Sequence, residues 1–124
     1  MLFLAGGSGA NITSGDPVLY TSSGAQELSA NPARVSVPVP AGTLSALRVK
    51  TDVGTFTGST VNVTVAVNGV LTGITCSITE AADSCSDLVN TVVVAAGDTV
   101  AVRLVQTGAA VPTRINYSLL LQLP

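Results

Sequence analysis

The sequence predicts an all-β fold, an antiparallel two-sheet sandwich of jelly-roll type with about eight strands. Three observations predict it. Val, Thr, Ala, Gly and Ser dominate the 124 residues, and β-branched side chains, stiff about χ1, suit a pleated surface better than a helix. Apolar residues recur with period two in at least four segments. These runs are short and divided by turn residues, the spacing of a sandwich or barrel. A chain of this length is one domain and buries roughly 65% of its unfolded surface, enough for a single core.

Residues 1–16 read as a flexible N-terminal arm and 17–124 as the sandwich. The start, Met1 to Gly7, is apolar but lacks the positive region and the length of a secretion signal. Residues 5–16 are rich in Gly, Ser and Asn and show no period. Leu2, Phe3 and Leu4 at the tip of this tether are expected to bury themselves against a neighbouring subunit or another assembly component.

Strands then follow in order. Val18 to Tyr20 is a short first strand. Residues 34–39 alternate, but Pro38 removes a donor and marks an edge. Residues 44–51 turn Leu47 and Val49 inward and Arg48 and Lys50 outward. Val61, Val63, Val65 and Val67 share one face, and Asn68-Gly69 follows at once, the strongest short-range signal for a hairpin. The return strand 70–78 places Val70, Ile74, Cys76 and Ile78 together. A loop over 79–89 leads to a strand at 90–95. Ala96-Gly97-Asp98 turns into 99–106, and 113–123 aligns Ile115, Tyr117, Leu119, Leu121 and Leu123. Residues 25–30 have room for one helical turn at most.

Chemistry-bearing residues are few. Histidine is absent, which removes the usual general base and the commonest zinc ligand. Two cysteines alone cannot complete a structural zinc site. Gly6-Gly7-Ser8-Gly9 lacks the lysine of a phosphate loop. Glu80, Asp83 and Asp87 fit no calcium-loop spacing and read as solvated carboxylates. The sequons at Asn11, Asn62 and Asn116 read as chance in a Thr-rich chain, two of them falling inside strands. Cys76 and Cys85 are expected to lie side by side, either as a disulfide or as two small buried thiols. Without a secretion signal, synthesis is expected in a reducing compartment, and a particle later exposed to air could oxidise the pair.

Charged residues make up 10% of the chain and the net charge is −2. That balance argues against nucleic acid as a partner. An ordinary soluble domain carries about 25% charged residues, so part of this surface is expected to be covered. Val93, Val105 and Leu120 break the inward alternation and are the candidate subunit contacts. No stretch has the roughly 20 apolar residues of a membrane helix.

The run Val61-Asn62-Val63-Thr64-Val65-Ala66-Val67-Asn68-Gly69-Val70, then Cys76 to Thr79, Cys85 to Asp87 and Val92 to Val100, resembles small β-domains of tailed-bacteriophage virion proteins. It is also similar to the trimeric heads of collagen-like bacterial surface proteins, which resemble the C1q and tumour-necrosis-factor jelly rolls. The resemblance spans residues 42–123 and carries no binding motif. The chain shows no Gly-X-Y stalk, which sets it nearer a capsid decoration (cement) protein. That resemblance implies a homotrimer on the outer capsid surface of a virion, bound to the major capsid protein, with no enzymatic activity and no cofactor. The alternative is a receptor- or glycan-binding head of a phage fibre or bacterial surface protein, to which a chain with no Trp and two Tyr lends little support.

Overall fold

The computed structural model describes residues 1–16, 18–21, 28–52, 58–79 and 82–124. Among them ten strands form: β1 (Leu2–Gly7), β2 (Leu19–Thr21), β3 (Val37–Pro38), β4 (Gly42–Thr51), β5 (Ser59–Val67), β6 (Val70–Ile78), β7 (Ser84–Asp87), β8 (Val92–Val94), β9 (Thr99–Gly108) and β10 (Ile115–Gln122). All pairings are antiparallel. The first sheet runs β1-β10-β4, with β7 and β8 both lying along the far side of β4. The second runs β9-β5-β6, with β2 and β3 both lying along the far side of β9. Taking β2 with β3 and β7 with β8 as two broken strands leaves eight positions, in the order 1-8-3-6 and 2-7-4-5. That order is the jelly roll.

One core lies between the sheets. Leu44, Leu47, Val49, Ile115, Tyr117, Leu119 and Leu121 of the first sheet meet Val61, Val63, Val65, Ile74, Ile78, Val100, Val102 and Leu104 of the second. Period two accounts for most of these. In β4 the phase slips, because Leu44 and Leu47 are both buried. A bulge takes up the extra residue: Ala46 sits at φ 54° where the register with β10 shifts. The Asn68-Gly69 hairpin forms as its sequence predicts, with φ 53° and 79° at the two corner residues.

Four expectations need correction. Residues 1–16 are not a free arm. Leu2 to Gly7 pair in unbroken register with Leu121 to Asn116, Leu4 packs against the core, and Ile12 is buried in a bridge to Thr113. Ser14 N donates to Gln106 Oε1 at 2.7 Å, tying the rest of the segment down. The physical reason is that β10 is the centre of the first sheet, and without β1 one side of its backbone would lack partners. Glycine hid this strand, yet Gly7 is required there: a Cβ would meet Asn116 Oδ1 at 2.6 Å and the Ile115 carbonyl at 2.8 Å.

The loop expected over 79–89 contains β7, which pairs Ser84 to Asp87 with Lys50 to Leu47. Residues 34–39 are mostly not strand, since Pro32–Arg34 make a 3-10 turn capped by Asn31 and only Val37–Pro38 pair. Val70 and Leu123 are exposed, not inward. In β6 a bulge at Thr72–Gly73, seen as a register shift against β5, frees the hairpin tip from the core phase. Leu123 lies beyond the last paired residue of β10. Residues 25–27 of the turn expected over 25–30 fall outside the described residues, and Ser29 makes an isolated bridge to Tyr20.

Cys76 of β6 and Cys85 of β7 are joined in a disulfide with Cα atoms 5.8 Å apart. Because β6 edges one sheet and β7 the other, this bond closes a seam between the sheets. Replacing both with serine is expected to preserve the sandwich and cost about 2–3 kcal/mol, the value for a short closed loop. A urea unfolding curve reads this directly. An unchanged midpoint would mean that hydrogen bonding alone holds the seam.

Candidate functional site

The outward face of the first sheet is built from residues whose inward neighbours fill the core. Cross-strand register orders them in rows. Phe3, Leu120 and Ser45 make one row, and Gln122, Thr43 and Val93 make the next. Phe3 is 71% exposed and Val93 80%, with Leu120 half-buried between strands. Met1 and Leu123 are exposed at the same end. Neither row holds a charged side chain, and Ser45, Thr43 and Gln122 are their polar members. The following rows are polar: Ala5, Ser118, Arg48 and Ser86, then Gly7, Asn116, Lys50 and Ser84. Those polar side chains surround a shallow open depression. The face is therefore divided into a half without charged side chains, where Phe3, Leu120 and Val93 stand among Ser45, Thr43 and Gln122, and a half that carries Arg48 and Lys50.

The structure separates the residues that the sequence singles out as contacts. Phe3, Leu120 and Val93 share the half without charged side chains. Val105 lies on the second sheet, opposite Asn62 on its outward face and half-buried. Leu2 and Leu4 stand opposite Leu121 and Leu119 on the core side of β1. Sequence reasoning missed Leu88 and Val89, exposed in the turn between β7 and β8, and Leu71 in the β5–β6 hairpin. Their exposure depends on the tip bulge and on β7, neither of which has a strong local signal.

The carboxylates of the described residues are committed to structure. Asp16 Oδ2 accepts from Thr13 N at 2.8 Å. Asp52 Oδ1 accepts from Arg114 N and from Thr113 Oγ1, both at 2.9 Å, and the Arg114 amide is the main cause of its lowered pKa. Asp98 accepts from Asn68 Nδ2 at 3.0 Å and from Ala95 N at 2.8 Å, with the Asn68 amide chiefly lowering its pKa. Asp83 meets Lys50 Nζ at 3.5 Å in an exposed pair, a contact worth little in stability.

Asp87 corrects the reading of a solvated carboxylate. It is only 7% exposed and gathers four donors: Thr75 N at 3.1 Å, Val89 N at 3.1 Å, Asn90 N at 3.0 Å and Asn90 Nδ2 at 2.8 Å. Burial raises its pKa, and these bonds, the Asn90 side chain first, outweigh it and bring it down to about 2. It is the polar companion of the disulfide, tying β6 to the end of β7. Glu80 lies outside the described residues, and among the described residues no three His, Cys, Asp or Glu groups come together as a metal site. Nor does any described helix have the length and apolarity to cross a membrane. The sequence matches no protein-family model and no curated protein.

Proposed function

We propose that this chain is a non-enzymatic structural protein that decorates and stabilises a bacteriophage capsid as a homotrimer. Its place in this reading is the outer capsid surface of the virion, and its partners are its own copies and the major capsid protein. Nucleic acid, membrane and cofactor play no part. The observation that carries the reading is the exposure of Phe3 and Val93, with Leu120 between them, in adjacent rows of the first sheet's outer face that hold no charged side chain. Each large side chain removed from water there contributes roughly 1.5–3 kcal/mol. One such contact is modest, but symmetric copies on a shell multiply it by avidity. The closed, disulfide-tied sandwich supports the reading, since a rigid block loses little entropy on docking. The three-fold order rests on the resemblance to trimeric jelly-roll heads and is analogy.

Counting and locating the protein in purified particles tests the function. Hundreds of copies spread over the shell are the expected result. A few copies confined to the tail would overturn decoration and favour the receptor- or glycan-binding head. Val93→Asp tests the surface separately: the variant is expected to fold but to lose trimer in sedimentation. A trimer of undiminished strength would remove Val93 from the contact.

A further inference from the structure

The sandwich has two edges in each sheet, and they are guarded unequally. Along one edge of the second sheet, β2 has three residues and β3 carries Pro38. Its other edge, β6, is long, but Thr72–Gly73 bulge it, Thr75 N donates to Asp87 Oδ2, and Cys76 is bonded to β7. In the first sheet β7 and β8 have four and three residues. Short strands, prolines, bulges and covering groups are the devices by which sheets avoid edge-to-edge pairing. From Leu2 to Gly6, β1 shows none of them among the described residues; Thr21 Oγ1 covers only the Gly7 carbonyl at its end. Its six residues, Leu-Phe-Leu-Ala-Gly-Gly, contain no charge and no proline and keep continuous register with β10.

The phase of β1 fixes which backbone groups face outward. Ser8 N donates to the Ile115 carbonyl at 2.8 Å, so by alternation residues 6, 4 and 2 also face β10. Phe3, Ala5 and Gly7 then turn their N–H and C=O groups away. The Gly7 carbonyl confirms that phase by accepting from Thr21 Oγ1 at 2.7 Å. Among the described residues, no hydrogen bond reaches the outward groups of Phe3 and Ala5, and both residues are exposed.

We infer that β1 is a self-association edge that pairs antiparallel, about a two-fold axis, with β1 of a second copy of the chain. A pairing centred on Leu4 sets Phe3 of each copy opposite Ala5 of the other. The two residues exchange both backbone bonds, about four in all, and joined edges make one continuous sheet. The large Phe3 ring then stands beside the small Ala5 methyl, both on the outward face. That match of large with small, together with identical donors and acceptors on both sides, selects a second copy as the occupant. A two-fold contact cannot close a ring of three, so this edge is independent of the proposed trimer. Under that reading it joins one trimer to the next.

Sedimentation and amide exchange of the full chain from about 1 to about 100 μM, the range expected for a contact of this size, provide the test. Even-numbered species should grow with concentration, and the Phe3 and Ala5 amides should exchange at least about tenfold more slowly at the high end. Ala5→Pro removes one outward donor while sparing the ladder to β10, and should raise the dissociation constant at least about tenfold. Ala5→Lys, a charge at the edge, serves if the proline variant does not fold. Equal exchange at both concentrations, or association indifferent to the folded variant, would overturn the inference. Dimers without trimers would overturn only the three-fold reading, and trimers that never pair would overturn only this edge.

Discussion

A chain lacking residues 2–9 is expected to lose on the order of 5 kcal/mol of stability, most of what a small domain possesses. Three losses add up. Leu4 leaves the core it packs against, about 1–2 kcal/mol for a partly buried leucine. Ser8 Oγ no longer accepts from Ile115 N, a buried bond of 3.0 Å, and an unsatisfied buried amide costs about 1–3 kcal/mol. The ladder from Leu2 to Gly7 disappears, and β10 becomes an open edge. Chemical denaturation against the full chain measures the sum. A difference below about 1 kcal/mol would show that β1 is dispensable to the fold, as a true arm would be.

Asp87→Ala is expected to cost about 2–4 kcal/mol at neutral pH, because the amides of Thr75, Val89 and Asn90 lose their common acceptor. The sign of its pH dependence follows from the depressed pKa. The carboxyl ionises at about 2 in the fold against an ordinary 3.8, so the folded state favours the charged form. The stability this contributes is fully present above about pH 4 and fades as pH falls through about 2. Asp52 and Asp98, also lowered, act in the same direction. The gap between the parent chain and Asp87→Ala should therefore narrow as unfolding is measured at successively lower pH below 4. A gap that stays constant down to pH 2 would mean that the loss is one of shape and not of charge.

Where the sequence was legible, the local and the global preferences agreed. Val61 to Val67 alternates cleanly, and the hairpin at Asn68-Gly69 requires the positive φ that those residues tolerate. The strands centred on Val49, Val102 and Leu119 were readable for the same reason. β1 was not, because Gly6 and Gly7 weaken strand propensity, and Gly7 is explained only by the approach of Asn116 from a strand distant in sequence. β7 was hidden by its small polar residues, Ser84-Cys85-Ser86-Asp87, whose pairing with β4 is decided by the disulfide and by Asp87. The role of Asp87 had a faint local signature. An aspartate bonding the amides two and three residues on is an Asx turn, and Asn90 supplies the matching side chain. Its bond to Thr75 depends on sheet packing and has no local trace. Among the surface residues, the exposure of Val93 and Leu120 was visible as broken alternation. Their grouping with Phe3, and the separation of Val105, came only from the strand order.

The pairing of the first strand with the last governs the timing of folding. Leu2 lies beside Leu121, and β10 is also the neighbour of β4, so an inner strand of the first sheet is made after every other described strand of the sandwich. Until then β1 and β4 have no strand between them, and the inner face of the second sheet, whose last strand ends at Gly108, remains without its cover. Such a topology postpones closure until β10 has been made, since contacts this distant in sequence cannot form before both partners exist. Val61, Val63 and Val65 of the nascent protein thus wait for a complete core until β10 is made, and the closing event is the arrival of one strand between two that are already waiting.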